Sequence, residues 1–417
     1  MPLPHSEISA KVHFSTGFAV VLAAAIFSYF LHETSFGRHM EMANLDAWFG
    51  LGSTGKDAHI AVVGITGEDY AGPVFHRACP LAVDGVTKLI RAVALSRPTV
   101  IVIDLDTSEW KAGERSRVQA EIERVRQTQG VSQAPQLAWA IGGSQDTHGQ
   151  ITLQNPDDPG GCVGVPASIP DNYGVVRGYL PYVPSGGVAV PSLAEVANRL
   201  DTGKGCAARV ADSGGDELPA VDLIEYSGGP ERFTHLAASV LFGAAENPAW
   251  QNSNPLQGRI VVIGGQFQEA RDRYVTPAGY LDGVDILAHA IASVERGGIP
   301  EPSHRTFLLS DLLIGAVLVT FSFFVRGVRM LAIAFVAIPF FALAASFVLY
   351  HYTGYFMSFV PILGAVFLHH LVEHGVEHWR LTVEHGLLKK EVQELRGAIR
   401  RQASAAGAVE GPPAPQE

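Results

Sequence analysis

The sequence predicts an α/β extracytoplasmic domain, a mixed and mainly parallel sheet flanked by helices, joined to four transmembrane α-helices and a short cytoplasmic coiled-coil-like helix. Three observations carry that expectation. Four long apolar runs bracket a polar-mixed stretch of about 270 residues. Within that stretch, β-branched runs alternate with apolar residues at helical spacing. Arg and Lys gather at one set of ends of the apolar runs, which fixes a side.

Residues 1–13 precede the first run, 14–31, which carries no charge and is about the minimum for crossing a ~30 Å hydrocarbon layer. A cleaved leader is the rival reading, since Lys11 and His13 stand before it. Its exit side, Phe27-Ser28-Tyr29-Phe30-Leu31, is bulky where a peptidase needs small residues, so an uncleaved anchor is expected. The other spans are expected at 307–325, 330–350 and 355–372. Asp311 is their one carboxylate, and it can reach the headgroups or accept from Arg305. Arg326 and Arg329 lie between the second and third spans, and Arg380, Lys389 and Lys390 follow the fourth, whereas the turn 351–354 has neither Lys nor Arg. The positive-inside rule then makes both termini cytoplasmic and residues 32–304 periplasmic, in a bacterial inner membrane.

That outer stretch holds 20 Lys and Arg against 32 Asp and Glu, a net of −12. Phosphate contacts need clustered cations, so nucleic acid is excluded as its partner. Its three cysteines, Cys79, Cys162 and Cys206, are too few for a disulfide scaffold, so an apolar core must hold the domain. In an oxidising compartment one pair could bridge, Cys162 with Cys206 the leading choice, leaving one free thiol.

Elements follow in order. His59 to Ile65 is an apolar run closed by a turn at Thr66-Gly67, and Thr99 to Ile103 is a β-branched run stopped by Asp104. Between them Leu81, Val86, Leu89, Ile90 and Val93 stand near helical spacing, with Pro98 ending the helical region. Strand, helix, strand within about 45 residues reads as a βαβ unit with a parallel pair. An exposed helix is expected over 116–129, with Val118, Ile122 and Val125 as its stripe. Strands are expected at 136–141, 175–183, 221–226 and 259–264, and a helix over 284–294.

These blocks carry a resemblance. Ile60-Ala61-Val62-Val63-Gly64-Ile65 with Arg77, Pro80 and Leu81, then Pro98 to Asp104, then Asp171-Asn172-Tyr173-Gly174-Val175-Val176-Arg177, stand in this order. They are followed by Gly258 to Gly264, Asp272, Thr276-Pro277, Gly283-Val284 and Ala288-His289-Ala290. In sequence and topology the chain resembles the CHASE2 family, extracytoplasmic sensor domains of bacterial signalling proteins. The resemblance covers about residues 32–304 and implies a sensor fold, a stimulus or ligand met outside the cytoplasm, and three clustered spans after the domain. Family members commonly continue into a cyclase or kinase, but about 45 residues follow the last span here, with neither a P-loop nor a kinase signature. The sequence also lacks a nucleophile elbow and Cys/His metal spacing outside the membrane. A non-enzyme without a cofactor is therefore expected, either a sensor that signals through a separate partner or a scaffold subunit of an envelope complex.

Candidate site residues fall in three groups. Asp104 and Asp106 follow a buried strand, where α/β sheets open their ligand crevice, and Asp171, Asp272 and Thr276 are expected to join them in binding the unidentified periplasmic ligand. Capping of nearby backbone is the simpler role for such carboxylates. His370, His374 and His378 are spaced by four and could bind a divalent metal, although an interfacial helix with Trp379 accounts for them as well. Leu388, Val392, Leu395 and Ile399, with Leu381 before them and His385 at one polar position, form a heptad-like seam in the helix 373–402. The seam predicts a homodimer or a partner helix. Residues 403–417 read as a disordered, Pro-rich end.

Overall fold

The computed structural model describes residues 34–51, 57–107, 110–111, 113–129, 135–145, 151–153, 162–185, 188–206, 219–245, 249–250, 254–299, 328–353 and 381–399, with a few isolated positions between them. It divides into two compact units. One comprises Met1–Glu41, Ser303–Leu343 and Phe359–Glu417; the other comprises Met42–Pro302 with Ala344–Ser358.

The second unit is built on a six-stranded parallel sheet. Its strands are β1 (Ile60–Thr66), β2 (Val100–Asp104), β3 (Gln136–Ala140), β4 (Cys162–Gly164), β5 (Thr234–Ala237) and β6 (Ile260–Gln266), in the spatial order β5-β1-β6-β2-β3-β4. Strands buried on both faces must be apolar throughout, and β1, β2 and β6 are buried at every position but their last. Besides a single helical turn at Gly67–Ala71, the longer helices among the described residues are α1 (Ser35–Leu51), α2 (Val83–Leu95), α3 (Glu114–Gln129), α4 (Leu193–Asp201), α5 (Ala238–Ala244), α6 (Gly283–Glu295) and α7 (Val328–Thr353).

Alternation along the strands sorts the two faces. Ala61, Val63, Ile65, Ile101, Ile103, Val261 and Ile263 point into one core with Leu89, Ile90 and Val93 of α2. The stripe Val118, Ile122 and Val125 of α3 enters the same core, as its spacing predicts. Helices α4 and α6 pack against each other and against strands of the sheet. At about 1.5–3 kcal/mol for each fully buried Val, Leu or Ile, this doubly covered sheet is the main store of stability.

Three expectations about the strands need correction. β1 and β2 are parallel members of one sheet but are not neighbours, because β6 lies between them with Ile60, Ile260 and Val100 in register. The single strand expected over 175–183 is instead two, Val176–Tyr179 and Tyr182–Ser185, which join different small antiparallel sheets. Pro181 between them breaks the run, since proline cannot donate to a ladder. The strand expected over 221–226 is reduced to Asp222–Leu223.

A disulfide joins Cys162 and Cys206 with Cα atoms 5.3 Å apart, and Cys79 is free and exposed. It ties edge strand β4 to the segment after α4. Arg177, with a nearly buried side chain, binds Asp46 of α1 at 2.8 Å and also pairs with Asp171. α1 further contributes Trp48, whose ring centroid is 5.3 Å from that of Phe347, and Phe49, 6.2 Å from both Tyr226 and Tyr350.

Of the four apolar runs, 14–31, 307–325 with Asp311, and 355–372 lie outside the described residues apart from isolated positions, as does the end at 403–417. The run 330–350 falls within α7. Among the described residues no helix is long and apolar enough to cross a membrane. In α7, side chains are described without a break only over 343–352. The tail is helical over 381–399.

Candidate functional site

The carboxyl edge of the sheet gathers acidic side chains. β2 ends on Asp104, which stands in register with Gly264 of β6 and, one strand further, Gly64 of β1. After β6 the chain turns through Gln268–Ala270, passes Arg271 in the left-handed region at φ 52°, and reaches Asp272. A hairpin follows, β7 (Arg273–Thr276) and β8 (Gly279–Asp282), which leads straight into α6. The Gly283 N–H donates to the Asp272 carbonyl at 2.8 Å and closes the hairpin base. A Cβ at Gly283 would lie 2.1 Å from Asp272 Oδ2, so glycine there makes room for the Asp272 carboxylate beside the first turn of α6. A helix N-terminus favours a negative charge in that place.

The electrostatics of this edge are strained by proximity. Burial first, and then the charge of Asp272, pushes the Asp104 carboxyl up to about 7. Asp272 is also held above the ordinary carboxylate range by burial, partly offset by a hydrogen bond from Tyr274. The Tyr274 phenol is raised in turn by burial and by both carboxylates. Asp282 is raised by burial and by Asp285 and Asp272, with Arg273 opposing. Beside them, Asp285 receives His235 Nε2 at 2.6 Å and Gln266 Nε2 at 3.3 Å. The Asp285 bond raises the His235 imidazole, against the cost of burial. Burial and the neighbouring carboxylate together disfavour the ionised form of Asp104. The arrangement can hold a proton or receive a cationic or hydrogen-bond-donating ligand.

Asp104 and Asp272 are thus brought within electrostatic reach of each other. Asp106 lies beyond them, exposed in the loop after β2. Thr276 is buried at the hairpin turn, where its hydroxyl donates to Gly279 O at 2.8 Å and accepts from Ala278 N at 3.2 Å. Asp171 accepts from the N–H groups of Tyr173 and Val175 at 2.8 and 3.0 Å and pairs with Arg177, a turn-forming and ion-pairing role. His370, His374 and His378 lie outside the described residues. Leu388, Val392, Leu395 and Ile399 are exposed on the tail helix. Sequence reasoning missed Tyr274, Asp282, Asp285 and His235. The spacing Asp-x-Tyr at 272–274 was the available signal for the first; nothing local marked the others.

A parallel α/β sheet with helices on both faces thus gathers acidic side chains at its carboxyl edge, the end at which such sheets commonly bind ligands. The chain belongs to the CHASE2 family: residues 19–325 match the CHASE2 domain, a sensor domain of signalling proteins found outside the cytoplasm. No curated protein and no solved structure matches the chain.

Proposed function

We propose that this protein is a multi-pass inner-membrane sensor. In this reading its CHASE2 domain receives a stimulus in the periplasm at the Asp104–Asp272 edge, and its state passes through four spans and a cytoplasmic helix to a separate output protein. It acts without catalysing a reaction and without a cofactor. One observation carries the reading: residues Ala344–Ser358, the end of the third apolar run and the turn after it, belong to the same compact unit as the sheet. Trp48 and Phe49 meet Phe347 and Tyr350 there, so a shift in the domain is felt directly by a segment continuous with a span. The Arg326/Arg329 turn supplies the orientation.

Alkaline phosphatase fused after Gly187 is expected to be active, and fused after Gly327 inactive; the opposite pattern reverses the topology. A second reading, a docking subunit of an envelope complex, draws on the exposed aromatic hairpin of Tyr274, Val275 and Tyr280. Replacing Tyr280 with Ser would then disrupt an assembly while leaving stimulus-dependent output intact, whereas loss of output alone favours the sensor.

A further inference from the structure

The hairpin that starts at Asp272 is tied to α1 through one buried cation. Val275 of β7 forms a parallel bridge with Val175, and β7 packs on the strand Val176–Tyr179 that follows. Val175 closes a tight turn on Asp171. Its N–H donates to Asp171 Oδ1 at 3.0 Å, its carbonyl accepts from the Asp171 N–H at 2.9 Å, and Gly174 between them takes the left-handed conformation at φ 76°. Asp171 therefore uses Oδ1 for the turn and Oδ2 for Arg177 Nη1. Arg177 presents its other edge to α1. Nε is 3.2 Å from Asp46 Oδ1 and Nη2 is 2.8 Å from Asp46 Oδ2, a two-point contact that needs the planar fork of a guanidinium.

We propose that Arg177 is a coupling residue: the hairpin, acting through Val275, Val175 and Asp171, sets the guanidinium, and the guanidinium sets the hold of the domain on α1. The inference deepens the sensor reading above and rests on it for the place where a stimulus enters. The two carboxylates meet different N–H groups of one rigid plane, so they do not compete for donors. Asp171 on one edge instead orients the other edge toward Asp46. The Arg177 side chain is only 10% exposed, so neither partner is replaced by water without cost. Its carbonyl accepts the Ile224 N–H at 2.8 Å, which anchors the strand, so a shift of the Asp171 turn reaches α1 through the side chain. Asp46 is followed in α1 by Trp48 and Phe49, the residues that meet Phe347 and Tyr350. The carboxyl edge and the aromatic contact are thereby joined by one ion-paired arginine.

The test follows amide hydrogen exchange by mass spectrometry on the full chain in detergent. Asp171→Asn keeps an acceptor for the turn and removes the charge that faces Nη1; Asp46→Asn removes the charge on α1. Coupling is reciprocal, so D171N is expected to speed exchange over residues 45–51 at least ~5-fold, and D46N to do the same over 171–177 and 273–276. R177K keeps the charge but loses the fork. It should speed exchange in both places and leave α1 indifferent to a further D171N. Asp171 lies on a partly exposed turn, so D171N keeps the test decisive should R177K or D46N unfold the sheet, which lost protection in β1 and β6 would reveal. Asp104→Asn stands in for a stimulus at the carboxyl edge, and is expected to alter exchange in the hairpin and in α1, the latter only while Arg177 is present. If D171N and D46N act as expected but D104N moves neither segment, the Arg177 link stands and the edge is lost as the point of entry. If D171N leaves α1 unchanged, or D104N alters α1 equally in the R177K background, the coupling role of Arg177 is overturned with the sensor reading untouched.

Discussion

Asp104 illustrates how a strand end creates a titrating group. Its backbone is fixed by pairing with β6, so its carboxyl cannot retreat from Asp272, and the folded chain keeps a proton near neutral pH that the unfolded chain has released by about pH 4. By linkage, stability from this group falls as pH rises from about 4 to about 7, and the penalty is complete above 7. His289 acts in the opposite sense over part of that window. It is fully buried between Tyr226 and Phe233, with its ring pushed down to about 4 by burial and by Arg232. Its contribution is intact above 6.5 and is lost as pH falls toward 4. The two slopes partly cancel in the wild type, so a variant isolates them. Asp104→Asn is expected to raise stability by roughly 1–4 kcal/mol at pH 8 and to change it little at pH 4.5. Urea denaturation followed by tryptophan fluorescence at both pH values reads this, and an equal effect at the two would remove the account of Asp104 as a carboxyl held protonated by the fold.

At the scale of elements, the legible parts were those written locally. β1, β2 and β6 announce themselves as unbroken β-branched runs, α2 and α3 by their stripes, and α6 by the apolar series from Val284 to Val294. The insertion of β6 between β1 and β2 was not legible, because it pairs segments about 200 and 160 residues apart and pairing partners leave no mark in local pattern. Strand β5 was missed for a related reason: as an edge strand it carries Thr234 and His235, which blur the apolar signal. The site divided the same way. Asp104 and Asp272 could be anticipated because each follows a core strand, whereas Tyr274 and Asp282 reach the edge only through the fold-back of β7 and β8. Where β6 meets α6, fit is tight. A Cβ at Gly264 would lie 2.6 Å from Val284 Cβ, so Gly264→Ala should cost about 1–3 kcal/mol by overpacking. Adding Val284→Gly, which removes both the Cβ at 2.6 Å and the Cγ2 at 2.8 Å, ought to recover part of that loss, giving a favourable coupling in a double-mutant cycle. Additive losses would mean that α6 and β6 separate more easily than their spacing implies.

For the whole molecule, the proposed route from stimulus to output must end on the tail, where the helix over 381–399 exposes Leu388, Val392, Leu395 and Ile399 along one seam. A seam of nearly three heptads is marginal in free solution, but tethering to a membrane raises the effective concentration of a second copy enough to favour pairing. A dimer formed this way converts a change in the relative placement of the spans into a change in helix spacing, which a separate protein can read. Val392→Asp with Leu395→Asp would place carboxylates inside the paired seam, where their desolvation is uncompensated, while leaving the CHASE2 domain untouched. A single cysteine at Leu388, in a Cys79→Ser background that keeps the Cys162–Cys206 disulfide, should cross-link in membranes with the wild-type seam and several-fold less with the Asp pair. The domain's proteolysis pattern serves as the control for folding. If the Leu388 cysteine fails to cross-link with the native seam, or cross-links undiminished with both Asp residues present, the helix does not self-associate, and its apolar stripe is better assigned to the membrane surface.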